Sequence, residues 1–180
     1  MGTARRTGLV VLGLVMCLLI AAPTAVSAAA VDIYYAPEDL PGEKLVALYG
    51  KARRYIFVAI YSVTYPPIVK ELVAAKKRGV DVRVITDRAK LNDSKQQSAL
   101  ETLRLAGIPI KINRHENLMH LKQAVIDDEL NTSGSMNQTG SGNRYNDERL
   151  DVLHDPVTTA KARDKFLAMW KDPSRYEDRK

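Results

Sequence analysis

The 180-residue sequence holds a single cysteine, Cys17, and it falls inside an apolar N-terminal stretch. A body without thiols excludes a disulfide scaffold, a thiol nucleophile and cysteine-ligated zinc or iron–sulfur sites. Grouped carboxylates of the kind that hold magnesium in two-metal nucleases are also lacking. The one acidic triplet, Asp127-Asp128-Glu129, reads as a solvated turn. No linker and no internal repeat interrupts the chain. Its longest apolar run, Leu9 to Ala22, is shorter than the ~18 residues a membrane-spanning helix needs.

Hydrophobic residues make up 46% and charged residues 27%, the balance of a soluble globular protein, which excludes disorder, collagen and a multi-span membrane protein. At the N-terminus, Arg5 and Arg6 precede the apolar run, and Pro23 with the small-residue string Thr24 to Ala30 follows it. Basic start, short apolar middle and small-residue end are the parts of a secretory signal peptide. Residues 1–28 are therefore expected to be a signal cleaved after Ala28, and residues 29–180 to form one exported domain, periplasmic or secreted. An oxidising exterior also suits a chain without stray thiols. The formal net charge of +6 is a mild basic bias that suits a polyanionic partner.

Along residues 31–113, β-prone and helical patterns alternate. Val31–Tyr35 reads as a strand, and Pro41-Gly42 opens a helix to about Ala52. Tyr55–Tyr61 is apolar throughout, as a strand buried on both faces is. A helix over Ile68–Arg78 turns Ile68, Leu72, Val73 and Ala75 inward, and Gly79 caps it. Val80–Thr86 is a strand, Ser94–Ala106 a helix with Leu100, Leu103 and Leu105 as its apolar positions, and Ile108–Ile112 a strand. This alternation predicts a mixed, largely parallel β-sheet flanked by helices in a single α/β domain. Beyond residue 115 the rhythm changes to strands over His120–Ile126 and Glu129–Ser133, a small polar loop over Gly134–Asn146 and a strand over Glu148–His154. A last helix covers Val157–Lys171, and the charged tail Asp172–Lys180 is expected to fray.

The chemistry concentrates between residues 120 and 148. His120-Leu121-Lys122-Gln123-Ala124-Val125-Ile126-Asp127 is an H-x-K-x-x-x-x-D pattern; Gly134-Ser135-Met136-Asn137 follows it, and Glu148 opens the next strand. On a strand, residues of equal parity share a face, so His120 and Lys122 project together. Asp127 has the opposite parity, sits at the turn and reads as a tie for the hairpin. An imidazole beside a fixed cation and the amide of Asn137 suits a phosphate: the ammonium and amide meet its oxygens while the imidazole attacks phosphorus. The loop Ser133–Asn143 offers backbone N–H groups to the same anion. A lone histidine is ordinarily structural or solvated, and a Ser/Gly/Asn loop ordinarily a connector; four ordered pieces together favour function.

The stretch HLKQAVIDDELNTSGSMNQT…NDERL resembles the signature of the phospholipase D superfamily, and YSVTYPPIVKELVAAKKRGVDVRVITD resembles the centre of its small, exported, single-motif bacterial endonucleases of the Nuc type. The likeness covers residues 31–172 and implies a phospholipase D/nuclease-like sandwich. It implies His120 as the nucleophile of a phosphohistidine intermediate, with Lys122, Asn137 and Ser135 holding the phosphate oxygens. Glu148 would orient His120 through its other ring nitrogen, and Asp127 belongs to the catalytic motif. No metal and no cofactor is implied. The reaction of this family uses two histidines, and neither His115 nor His154 has an H-x-K context. A homodimer pairing two copies of His120 across a two-fold axis supplies the second. Nucleic acid is the expected substrate, contacted through Arg53, Arg54, Lys76, Lys77, Arg78 and Arg144. Phospholipid headgroups are the alternative, although no apolar rim or amphipathic membrane helix is legible outside the N-terminal stretch.

Overall fold

The computed structural model describes residues 29–179 together with Gly2. The signal-peptide reading falls on residues 1–28 and lies outside the described residues. Strand β1 (Ala30–Ala36) leads to α1 (Pro41–Lys51), β2 (Tyr55–Ile60), α2 (Pro66–Lys77) and β3 (Asp81–Thr86). A 3-10 turn (Arg88–Lys90), α3 (Ser94–Leu105) and β4 (Ile110–Asn113) follow. Then come β5 (Lys122–Ile126), β6 (Leu130–Gly134), α4 (Gly140–Arg144), β7 (Glu148–His154), α5 (Pro156–Trp170) and β8 (Tyr176–Asp178). One sheet takes all eight strands in the order β1-β7-β6-β5-β2-β3-β4-β8.

This is the mixed α/β sheet that the alternating pattern implies. Parallel pairing is narrower than expected, being confined to β2-β3 and β3-β4, while the other five neighbour pairings are antiparallel. The cause is the connections. Helices α2 and α3 carry the chain back across the sheet between consecutive parallel strands, whereas β5, β6 and β7 follow one another as antiparallel neighbours.

Burial explains the strand sequences. Ile56, Val58 and Ile60 pack under α1, α2 and α3, while Phe57 and Ala59 face α5. Both faces of β2 are thus dry, which is why its sequence has no polar alternation. On the α5 side, Phe57 stacks on Phe166 at 4.9 Å and Phe166 on Trp170 at 5.7 Å, pinning the helix to the sheet.

Several local expectations are corrected. Leu105, at the last position of α3, is 73% exposed, and Val69 takes the inward place on α2 beside Ile68, Leu72 and Ala75, with Val73 only half-buried. The charged tail does not fray: β8 pairs with the free edge of β4, and Tyr176 is buried against the α5 layer. Its charges mask a three-residue strand whose one apolar residue carries the burial. The polar loop after Gly134 contains α4 and a bridge between Val63 and Gln138.

The acidic triplet is a turn, but only Glu129 in it is exposed. Asp127 is buried and accepts from the backbone N–H groups of Arg53, Arg54 and Tyr55 at 3.1, 2.8 and 2.9 Å. Asp128 accepts from Arg54, Arg163 and the Tyr55 hydroxyl, and these donors hold its carboxyl down at about 2. Asp127→Ala removes one acceptor from three donors. Hydrogen bonds to a charged group contribute about 1.5–3 kcal/mol each, so a urea titration should show a loss of about 3 kcal/mol of unfolding free energy. A loss within the ~0.5 kcal/mol typical of neutral surface changes would show that this clamp is not structural.

Candidate active site

His120 lies two residues before β5, not within it, on the segment that arrives from β4. Its neighbours hold it. The buried Asp87 carboxylate accepts from the Met119 N–H at 2.5 Å, and Met119 itself is buried. The Leu121 carbonyl accepts from Tyr61 N–H at 3.2 Å. Asn113, also buried, accepts from Arg88 N–H at 2.7 Å and donates to the Asn117 carbonyl at 3.0 Å. The backbone is therefore pinned on both sides of an exposed imidazole.

That imidazole packs edge-on to Tyr61 at 4.9 Å. Lys122 Nζ lies 2.9 Å from His120 Nδ1, 3.0 Å from Nε2 and 3.0 Å from the His120 carbonyl oxygen. The shared face inferred from strand parity is thus realised, although the strand proper starts only at Lys122. Burial pushes the Lys122 ammonium below the usual lysine range, and the charge of Glu148 pulls it partway back.

The Gly-Ser-Met-Asn segment is set by its first residue. Gly134 has φ +139°, and a Cβ there would be driven into the Arg149 carbonyl, so only glycine lets β6 leave β7 at this point. Ser135 Oγ then donates to the Glu148 carboxylate and accepts from Arg149 N–H at 3.1 Å. Asn146 Nδ2 also donates to Glu148 at 3.3 Å. Gln138 fastens the segment to the end of β2: its N–H donates to the Ser62 carbonyl, and its own carbonyl accepts from Thr64 and Tyr65 N–H. Its side chain donates to the Tyr49 hydroxyl at 2.8 Å. Asn137, next to it, keeps its side-chain oxygen buried with no partner among the described residues.

The structure brings His120 and Lys122 into contact, and Ser135 with Glu148. It does not route Glu148 to His120: the hydrogen bonds of Glu148 go to Ser135 and Asn146, and the ring nitrogens of His120 face Lys122. Asp127 stays out of the site altogether, at the opposite end of β5, where the register pairs Ile126 with Ile56. Sequence reasoning missed Tyr61, Asp87 and Gln138. Asp87 had one available signal, an acid directly after an apolar strand; Tyr61 and Gln138 had none.

The expected basic contacts are displaced too. Arg53 and Arg54 precede β2, and Lys76, Lys77 and Arg78 end α2, so all five gather at the end of the sheet away from His120. Arg54, Arg78 and Arg144 are moreover paired with Asp128, Glu71 and Glu43. Among the described residues no three His, Cys, Asp or Glu side chains gather as a metal-holding group.

A family model described as cardiolipin synthase, PLD-like domain, matches residues 45–170. Mitochondrial cardiolipin hydrolase of Xenopus tropicalis is 29% identical over 141 residues, 77% of this chain and 66% of that protein. Phospholipase D of Rickettsia bellii is 30% identical over 119 residues, 66% of this chain and 56% of that one. The chain spans between about half and two-thirds of the length of such curated relatives. The crystal structure of Nuc, a phospholipase D family member from Salmonella typhimurium, superposes with a TM-score of 0.78 at 27% identity, covering 84% of this chain and 99% of that one.

The Lys122 environment fixes a pH response. Its cation exists below its pKa and is lost as pH rises through a value already lowered by burial. Glu148→Gln removes the upward pull, so the alkaline limb of kcat/KM should move to lower pH. A limb that stays in place or moves up would show that Lys122 does not set it.

Proposed function

The chain belongs to the phospholipase D superfamily of phosphodiesterases, and from that premise we propose an exported, metal-independent enzyme that cuts nucleic acid through a phosphohistidine on His120, working as a homodimer. The observation that carries this reading is the Lys122 ammonium against both ring nitrogens of an exposed imidazole. A phosphodiester drawn to that cation presents phosphorus to the ring.

In this reading a ring nitrogen of His120 attacks phosphorus. The N–P bond forms as one ester P–O bond breaks, and the departing oxygen takes a proton from a second imidazole. Water, giving its proton back to that second imidazole, then attacks phosphorus and breaks the N–P bond. Lys122, Asn137 and Ser135 meet the negative oxygens. Within one chain the other histidines are engaged elsewhere: His154 pairs with Asp32 at 2.9 Å, and His115 packs on Tyr176 at 5.8 Å. A second copy of His120 answers the need, and the exposed Leu118 and Leu121 on either side of it offer that copy an apolar rim. Export rests on the N-terminal sequence.

Nucleic acid is favoured by the basic balance of the chain and by the likeness to Nuc along nearly all of that protein. The phospholipid reading has two supports of its own. The curated relatives carry cardiolipin hydrolase and phospholipase D names. The edge strand β1 also leaves Val31, Ile33 and Tyr35 about half exposed on one face, an apolar stripe that the sequence alone did not reveal.

Parallel assays on plasmid DNA, RNA, and phosphatidylcholine and cardiolipin vesicles separate the two. Nucleic acid should be cut in excess EDTA by a species sedimenting at twice the chain mass, and His120→Ala should lose at least about a thousandfold in kcat. Turnover of vesicles alone would establish the lipid reading, and activity lost to EDTA and restored by magnesium would contradict histidine catalysis.

A further inference from the structure

Beside the catalytic cluster lies a groove of about 880 Å³, between the starts of α2 and α3 on one side and the segment Asn137–Tyr145 on the other. It opens at Tyr61, whose ring packs on His120, and at Asn137, and Lys70, Lys90 and Lys95 line it. None of these three lysines has an ion-pair partner among the described residues. The one acid in the lining, Asp93, is engaged in capping α3 by accepting from Lys95 and Gln96 N–H at 2.9 and 3.1 Å. Much of the remaining wall is serine and threonine hydroxyl, and Tyr145, 79% exposed, stands at the margin.

Tyr61 connects groove and cluster. Lys90 Nζ lies 5.1 Å from the centre of its ring and Lys122 Nζ 5.5 Å from the same centre. Two ammonium groups thus share one aromatic ring, Lys122 serving His120 and Lys90 facing the groove. Three ammonium groups against the single carboxylate of Asp93 leave the trough with a positive excess, which calls for an anion. A trough continuous with a site for one phosphate suits a chain that carries the next.

Resting on the nucleic-acid reading, we propose that this groove is a subsite for the phosphate flanking the scissile one, held by Lys90 and Lys95 with Lys70 behind them, and that an adjoining base stacks on Tyr145. The enzyme then discriminates between an isolated phosphodiester and one with a phosphate neighbour, a distinction that Lys122 and Asn137 alone do not make.

The test compares a thymidine dinucleotide containing one phosphodiester with the same dinucleotide bearing an added phosphate at its 5′ or its 3′ end. One charge-assisted contact is equivalent to about tenfold or more, so one of the phosphorylated forms should be cut with kcat/KM about tenfold higher by the wild-type protein. Lys90→Ala with Lys95→Ala should collapse that ratio to near one, while Lys161→Ala with Lys165→Ala, on the exposed side of α5, should preserve it. Because the readout is a ratio within each protein, a partly unfolded variant lowers both rates and leaves it standing. A wild-type ratio near one, or an undiminished ratio in the Lys90/Lys95 variant, overturns the subsite while leaving the nuclease reading in place. Cleavage of none of these substrates, nor of longer nucleic acid, by the wild-type protein overturns the nuclease reading and the subsite with it.

Discussion

The carboxylate of Asp127 takes three successive backbone N–H groups at the start of β2 and thereby holds β5 against β2 in one register. Side chains alternate along a strand, so a slip of one residue would turn Lys122, and His120 with it, to the other face of the sheet and away from Tyr61. The His120 end of these strands shares the register that this clamp holds at the other end. Tyr61, one residue past β2, reaches His120 because Lys122 is paired with Ile60. Asp87, one residue past β3, then catches the Met119 N–H and settles the approach to the imidazole. The motif is thus a single mechanical unit in which the aspartate sets register and the histidine and lysine use it.

Electrostatics divides the molecule along the strand direction. At the Asp127 end, arginines are matched by carboxylates: Arg54 and Arg163 by Asp128, Arg78 by Glu71. Beside His120, Lys90 and Lys122 have no ion-pair partner among the described residues, and burial of Lys122 lowers its affinity for a proton against the more distant pull of Glu148. Cations without counter-ions in a partly desolvated site are costly in the empty protein and are compensated when an anion arrives, which is the arrangement a phosphate site requires. A count of basic residues along the sequence does not reveal this division, because the fold decides which cations are neutralised.

What the sequence made legible follows the same logic. The doubly buried β2, the amphipathic α2 and the alternation behind the three parallel strands were visible because periodicity records burial directly. His120, Lys122, Ser135, Asn137 and Glu148 were visible as an ordered series of chemically apt residues. Features made by long-range pairing were not visible. β8 carries a single apolar residue, and its charges resemble those of a loose tail. The Asp127 clamp joins residues more than seventy positions apart. Parity placed Asp127 away from His120, even though the motif groups it with the catalytic residues, but the carboxylate ties the turn to the start of β2 and not the two arms of its own hairpin to each other. Glu148 shows the converse: its position in the series was legible, but its partners in the described chain, Ser135 and Asn146, were not.

The central claim is that the imidazole at position 120 becomes covalently bonded to phosphorus during turnover. Rapid quenching of the wild-type protein with a substrate labelled at the scissile phosphate should leave an alkali-stable, acid-labile label on the peptide containing His120, and the His120→Ala protein should carry none. A wild-type protein that turns over substrate yet yields no label, or carries it on another residue, would contradict the account.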